Sequence, residues 1–146
     1  MNIIFLDIDG VLNYQTFFKE QKLSRINYYK NLDYKDYQIK LLIQLLDIDP
    51  NKLYLLKEIL KETNSKVVIT SSWRNLSIYP LIEDYLIYMG IPIIGTTPYI
   101  DSNRGLEIKS YLNSHEINDY IIIDDDIFSD FDEELLSHLW NVYLPG

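Results

Sequence analysis

Two aspartates stand two positions apart directly after an apolar run near the start of the chain. The run extends from Ile3 to Leu6, and Asp7, Asp9 and Gly10 follow it. A short apolar run predicts a buried strand, and the carboxyl ends of parallel strands line the ligand crevice of a sheet. Two carboxylates at one crevice repel each other, so the pair predicts a bound cation. Oxygen ligands favour Mg²⁺.

A second acidic group follows another apolar run. Asp124, Asp125 and Asp126 come directly after residues 121–123, which are all isoleucine. Three acids at the end of a buried strand are destabilising unless a cation or hydrogen-bond donors compensate their charge. If the two acidic strand ends are neighbours, a phosphate monoester there adds about two further negative charges. Such a site requires both Mg²⁺ and basic side chains.

The chain offers hydroxyls and bases between these two acidic groups. Residues 70–74 read Thr-Ser-Ser-Trp-Arg after an apolar run, and Arg104 and Lys109 lie further on. The guanidinium of Arg74 suits bidentate contact with a phosphate. The alternative for this segment is a helix start rich in serine and threonine, with the arginine in solvent. Solvated helix charges are likewise the alternative for Arg104 and Lys109.

In this order, the motifs resemble those of the haloacid dehalogenase (HAD) superfamily, whose first motif is DxDG followed by Thr or Val. The resemblance covers most of the chain, and it implies that Asp7 is the nucleophile that forms an acyl phosphate. It also implies that Asp9 protonates the leaving oxygen, then activates water, and binds the metal through its carbonyl. Dehalogenases of the superfamily lack the second aspartate and its ATPases replace it with threonine, so Asp9 favours a phosphatase or a phosphotransferase.

The resemblance assigns the remaining motifs as well. It implies that Ser71 donates a hydrogen bond to the phosphoryl oxygens, with Thr70 and Ser72 as alternates, and that Arg74 binds the same anion. The third-motif base is Arg104, where most members have lysine, with Lys109 as the alternate. Residues of the fourth motif complete the predicted metal set, while two further acids complete an outer shell or face solvent. The metal set is Asp7, Asp9, Asp124 and Asp125, and the outer acids are Asp126 and Asp130.

The elements that must position these residues alternate between short apolar runs and helix-period segments. That alternation predicts an α/β fold, a Rossmann-like three-layer sandwich with a central parallel sheet of about five strands. The strands are predicted at Ile3–Asp7, Lys66–Thr70, Ile91–Gly95, Tyr120–Asp124 and Leu139–Val142. The helices are predicted from Pro50 (capped by Asp49) to Asn64, and at Ser77–Met89, Arg104–Asn113 and Asp130–Leu139.

The segment 13–46 departs from this alternation and is predicted to be a small cap or flap in a single domain, 1–146. It carries seven tyrosines and phenylalanines, and six bases against three acids. Only its last part, 38–46, suggests a helix. A long insertion after a strand that ends in acids usually borders a site. Aromatic and basic side chains suit stacking on bases and contact with a phosphate backbone, but the tyrosines equally suit a small core over the sheet.

Composition narrows the class of protein. The chain has 146 residues, no cysteine, two histidines and a net charge of −9, which excludes a thiol nucleophile and disfavours a histidine metal site. The lack of a membrane-length apolar run and of a secretory start predicts a cytoplasmic protein with no membrane partner.

The motif set resembles most the HAD domains of RNA-repair proteins and, more loosely, polynucleotide kinase-phosphatase phosphatase domains. This implies a Mg²⁺-dependent phosphatase for nucleic-acid or nucleotide ends. A small-metabolite or sugar phosphatase, a phosphotransferase and a non-catalytic binding module remain alternatives.

Overall fold

A computed structural model of the chain describes residues 1–8, 10–12, 31, 35, 48–77 and 79–141. Three predictions lie outside these residues: the placement of Asp9, the structure of nearly all of the insertion 13–46, and its helix at 38–46. Within the described ranges, no helix has the length and apolar character needed to cross a membrane.

Five parallel strands form one sheet in the order β3-β2-β1-β4-β5. They are β1 (Asn2–Leu6), β2 (Ser65–Ile69), β3 (Ile93–Thr96), β4 (Asp119–Asp124) and β5 (Leu139–Asn141). Each predicted strand is present, and no described end differs from its prediction by more than two residues; the predicted end of the fifth strand, Val142, lies outside the described residues. β1 lies in the middle of the sheet, so the first motif follows the central strand.

The helices of the described residues are α1 (Pro50–Thr63), α2 (Tyr79–Tyr88), α3 (Arg104–Ser114) and α4 (Glu133–Ser137). A short 3₁₀ helix, Ser72–Asn75, follows β2. α1 begins as predicted, because the Asp49 side chain accepts a hydrogen bond from the N–H of Asn51 and proline occupies the first turn. It ends at Asn64, which adopts the left-handed conformation at φ 51°.

Some predicted elements are longer than the observed ones: α2 was predicted at Ser77–Met89 and spans Tyr79–Tyr88. α4 and β3 are also shorter than predicted, each for a local reason. α4 was predicted from Asp130, but it begins at Glu133 because Asp132 caps it by accepting from the N–H of Leu135. β3 was predicted from Ile91, whose N–H instead donates back to the carbonyl of Leu86. The next residue, Pro92, has no N–H to donate to a strand ladder.

The core has two parts, one on each face of the sheet. Ile4 and Leu6 of β1 pack with α1 and α2 on one face, while Ile3 and Phe5 pack with α3 and α4 on the other. The ring of Phe5 meets Tyr111 and Tyr120 edge-on, with centroids 5.7 and 5.8 Å away. Because alternate residues of β1 are buried on opposite faces, the molecule has the predicted three-layer α/β architecture.

Candidate active site

Three carboxylates meet at the carboxyl ends of the two central strands, β1 and β4. Asp7, Asp124 and Asp125 each place an oxygen within 4.8 Å of the others, and we call them the carboxylate cluster. Asp7 directly follows β1, and its N–H donates to the carbonyl of Ile123 at 3.0 Å. Asp7 and Asp124 are buried, and Asp125 is exposed. The cluster therefore joins two acidic motifs that the sequence separates by more than a hundred residues.

Gly10 lies against the carboxylate of Asp125, where a side chain would not fit. It adopts φ 76°, a conformation that strongly favours glycine. A Cβ atom at this position would lie 2.0 Å from Oδ2 of Asp125. The glycine predicted to turn the chain therefore also leaves room for the carboxylate of Asp125 to approach the first motif.

Arg104, at the start of α3, reaches the cluster from the neighbouring layer. Its Nη1 lies 2.8 Å from Oδ2 of Asp124 and 3.7 Å from Oδ1 of Asp7. The guanidinium also lies over the ring of Phe128, with its carbon 4.5 Å from the ring centroid. A planar cation stacked on an aromatic face is held by both charge and shape.

Among the residues that the structure describes, the cluster holds more negative charge than its surroundings compensate. Burial, and after it the charge of Asp124, raise the pKa of Asp7 to about 8 against the opposing effect of Arg104. Burial likewise raises the pKa of Asp124 to about 6, against the opposing effect of Arg104. Three carboxylates face one guanidinium, so a cation bound here relieves their repulsion. Carboxylate oxygens are the ligand atoms of the cluster, and such ligands suit a hard divalent ion.

The hydroxyls of the second motif surround the end of β2, next to β1. The Ser71 side chain is buried and accepts from the N–H of Trp73 at 3.1 Å, which caps the 3₁₀ helix. The hydroxyl of Thr70 is buried without a hydrogen-bond partner among the described residues. Ser72 is exposed.

The other two predicted phosphate-binding bases lie elsewhere. Lys109 forms an ion pair with Asp132 on the surface. Arg74 forms a buried ion pair with Glu107, with 2.9 Å between Nη2 and Oε2, and we call these two residues the arginine–glutamate pair. Of the three bases, the structure brings Arg104 onto the carboxylate cluster.

Sequence reasoning gave no role to two side chains that contact Arg104. Glu107 lies one helical turn after it, with 3.9 Å between Oε1 and Nε of Arg104, and Phe128 lies under its guanidinium. The spacing of three residues was the available signal for Glu107. No comparable signal marked Phe128, because its contact with Arg104 joins a loop to a helix start.

The fold and the carboxylate cluster are those expected of a HAD-superfamily hydrolase domain. A family model described as "HAD domain in Swiss Army Knife RNA repair proteins" matches residues 3–143. The chain therefore belongs to this family of HAD domains. No curated protein and no solved structure matches it significantly. Family and cluster together support a divalent-metal site at Asp7, Asp124 and Asp125.

Proposed function

We propose that this domain is a Mg²⁺-dependent phosphatase that passes through an aspartyl-phosphate intermediate on Asp7. The observation that carries the proposal is the buried carboxylate of Asp7 at the end of the central strand, beside two further carboxylates and a guanidinium. Membership of the HAD family supports the same chemistry.

In the proposed first step, an oxygen of the Asp7 carboxylate attacks the phosphorus of a phosphate monoester. An acyl–phosphate bond forms and the bond from phosphorus to the ester oxygen breaks, with Asp9 giving a proton to the leaving oxygen. In the second step, water attacks the phosphorus and gives up a proton to Asp9. The bond between the phosphorus and the Asp7 oxygen breaks. Inorganic phosphate leaves, and Asp7 returns as a carboxylate. The role of Asp9 rests on the family motif.

Charge compensation explains the composition of the proposed site. Asp7, Asp124 and Asp125 would hold the ion, which supplies positive charge to the phosphoryl oxygens when bound. Arg104 offers a second positive charge beside the nucleophile. For hydrogen bonding to the phosphoryl group, Ser71 remains the predicted donor, with Thr70 and Ser72 as alternates.

We propose a phosphorylated nucleic-acid end, RNA in particular, as the substrate. Two observations support it: the description of the matched family names RNA repair proteins, and residues 13–46 carry six bases against three acids in a chain of net charge −9. A basic, tyrosine-rich segment next to the first motif suits a polyanion whose bases stack on aromatic rings.

The test of the chemistry is hydrolysis of p-nitrophenyl phosphate with MgCl₂, with EDTA, and by the Asp7→Asn variant. We expect hydrolysis in the first condition alone. If wild type and variant are equally inert with every generic phosphate ester, the domain is a binding module instead.

The test of the substrate is phosphate release from 3′- and 5′-phosphorylated oligoribonucleotides, compared with mononucleotides and sugar phosphates. We expect a higher kcat/KM for one oligonucleotide end, with a steep loss as salt rises. A preference for the small molecules would assign the domain to metabolite phosphatases. Transfer of phosphate to an added alcohol at the expense of water would make it a phosphotransferase.

A further inference from the structure

The chain buries a second charged group next to Arg104, the arginine–glutamate pair, and the phosphatase chemistry above does not use it. The side chains of Arg74 and Glu107 are 5% and 2% exposed. Unpaired charges are rarely buried to this extent, because desolvation costs several kcal/mol per ion. The two charges must therefore be stabilised by each other and by hydrogen bonds to the surrounding protein. The partners in those contacts show which parts of the structure the pair holds in place.

Within the described part of the chain, all of the hydrogen bonds of the Arg74 guanidinium go to backbone carbonyls and to Glu107. Its Nη1 donates to the carbonyl of Thr70 at 2.6 Å and to that of Ser71 at 2.9 Å. Its Nε donates to the carbonyl of Thr97 at 3.0 Å. Its Nη2 contacts Glu107 at 2.9 Å and the carbonyl of Pro98 at 3.4 Å. A guanidinium has five N–H groups, and these five acceptors match them. Arg74 thereby ties the end of β2 to the segment that follows β3.

Glu107 uses both of its oxygens. Oε2 accepts from the N–H of Ile100 at 2.9 Å and pairs with Arg74. Oε1 lies 3.9 Å from Nε of Arg104. One carboxylate therefore stands between two arginines whose positive charges repel each other. Burial lowers the pKa of Arg74, Glu107 opposes that change, and Arg104 adds to it.

We infer that Glu107 is a positioning residue that holds Arg104 against the carboxylate cluster, and that Arg74 is its counter-charge and not a ligand of the substrate. This rests on the proposed function for its kinetic consequence. Three side chains contact the Arg104 guanidinium. Asp124 pairs with Nη1, Glu107 lies beside Nε, and the ring of Phe128 packs against its face. Removing the charge of Glu107 frees the Nε end of the Arg104 guanidinium and leaves no negative charge between it and Arg74.

The direct test is NMR of the arginine Nε–H groups, which needs no enzymatic activity. The chain has three arginines, Arg25, Arg74 and Arg104, so three signals cover them all. In Glu107→Gln, which keeps an oxygen to accept from Ile100, we expect the Arg104 signal to be lost through faster exchange with water. The matched control is Glu58→Gln, the same chemical change on the exposed face of α1, and it should leave all signals in place.

Titration with inorganic phosphate and MgCl₂ separates the two arginines in the wild-type protein. We expect the Arg104 Nε–H signal to shift and the Arg74 signal to shift less. A larger shift at Arg74 would make it the phosphate ligand and overturn its assignment as a counter-charge.

A double-mutant cycle tests the kinetic consequence. Removing a partner that orients an active-site group typically costs about 10–100-fold, so we expect that loss in kcat/KM for p-nitrophenyl phosphate in Glu107→Gln. In an Arg104→Gln background the same change should cost less than about twofold, the scatter seen for independent sites. Thermal unfolding of each variant confirms that it is folded.

An equal loss in both backgrounds would mean that Glu107 acts on the fold in general, and would overturn the inference. So would an Arg104 signal that Glu107→Gln leaves unchanged. If the wild-type protein hydrolyses nothing, the proposed function fails, while the NMR result still decides whether Glu107 holds Arg104.

Discussion

The carboxylate cluster and the arginine–glutamate pair are two buried groups of charge near the carboxyl ends of the strands, and they are built differently. The cluster sets three carboxylates against one guanidinium, and burial raises the pKa of two of its members. In the pair, one guanidinium meets one carboxylate, and backbone groups complete the hydrogen bonds of both.

The difference separates a place for a ligand from a piece of framework. A buried group with excess charge lowers its free energy by taking up a counter-ion, whereas a balanced and fully hydrogen-bonded group gains nothing from one. On this reasoning, changes in the cluster should alter activity and the response to Mg²⁺. Changes in the pair should lower stability whether or not a ligand is present.

The largest expected effect comes from removing one charge of the cluster. Asp7→Asn should lower kcat for p-nitrophenyl phosphate by at least about 10³-fold, since loss of a nucleophile leaves only binding and electrostatic effects.

The same variant should unfold at a higher temperature than wild type in EDTA, because it relieves repulsion among buried carboxylates. Activity assays and thermal scans measure both. Asp84→Asn on the exposed side of α2 is the matched control, and a lower unfolding temperature for Asp7→Asn would contradict the account of excess charge.

Breaking the arginine–glutamate pair should act in the opposite direction on stability. Arg74→Met takes the nearer of two positive partners from the buried carboxylate of Glu107, which keeps only Arg104 at 3.9 Å, and it removes side-chain hydrogen bonds to four backbone carbonyls. We expect the free energy of unfolding to fall by about 3–5 kcal/mol, measured by urea titration. A loss of similar size with and without Mg²⁺ fits a framework role, whereas a loss confined to the Mg²⁺-bound protein would place Arg74 in the ligand site.

The stability of the metal-free protein should fall as pH rises from about 4 to about 8. The pKa of Asp7 is raised from its ordinary value of 3.8 to about 8, and that of Asp124 to about 6. Between the ordinary and the raised values, the folded protein binds more protons than the unfolded chain, so stability decreases with pH. Unfolding in EDTA across this range measures the slope.

Mg²⁺ should reverse this trend, because the ion binds the ionised carboxylates that protons would otherwise neutralise. At about a hundred times its Kd, the ion adds about 2.7 kcal/mol to stability. We expect a larger Mg²⁺-induced rise in unfolding temperature at pH 8 than at pH 5. An equal rise at both values would argue against binding at the cluster.

The smallest effect is expected at the surface pair. Lys109 and Asp132 are 39% and 43% exposed at their side chains, so water screens their attraction. Lys109→Met should therefore leave the unfolding temperature and kcat for p-nitrophenyl phosphate unchanged. A clear loss of activity would restore Lys109 as the third-motif base.

The sequence was sufficient to predict most of the architecture. Continuous β-branched runs such as residues 67–69, within the predicted strand Lys66–Thr70, revealed the parallel strands, since residues buried on both faces of a sheet are apolar. Proline and a capping aspartate likewise marked the start of α1. α4 proved shorter than its apolar pattern suggested, because the cap at Asp132 decides where the helix begins.

The site could be predicted only where motifs are short and local. Gly10 and the acidic strand ends were readable because each lies directly beside its strand. The partner of Arg74 was not readable, because 33 residues separate it from Glu107 and only the packing of α3 on the sheet brings them together. A buried glutamate on a helix has the same sequence appearance as a solvated one. The roles assigned to individual site residues remain predictions for the experiments above.

The place of β1 between β2 and β4 also has a consequence for how the protein is made. Asp7 and Asp124 are 117 residues apart, and a ribosome adds about 5–20 residues per second, so roughly 6–23 s pass between their syntheses. Throughout that interval the apolar central strand lacks the neighbour on one side that β4 provides. The sheet of the nascent chain therefore stays incomplete until β4 has been made. The carboxylate cluster is assembled only when β4 pairs with β1.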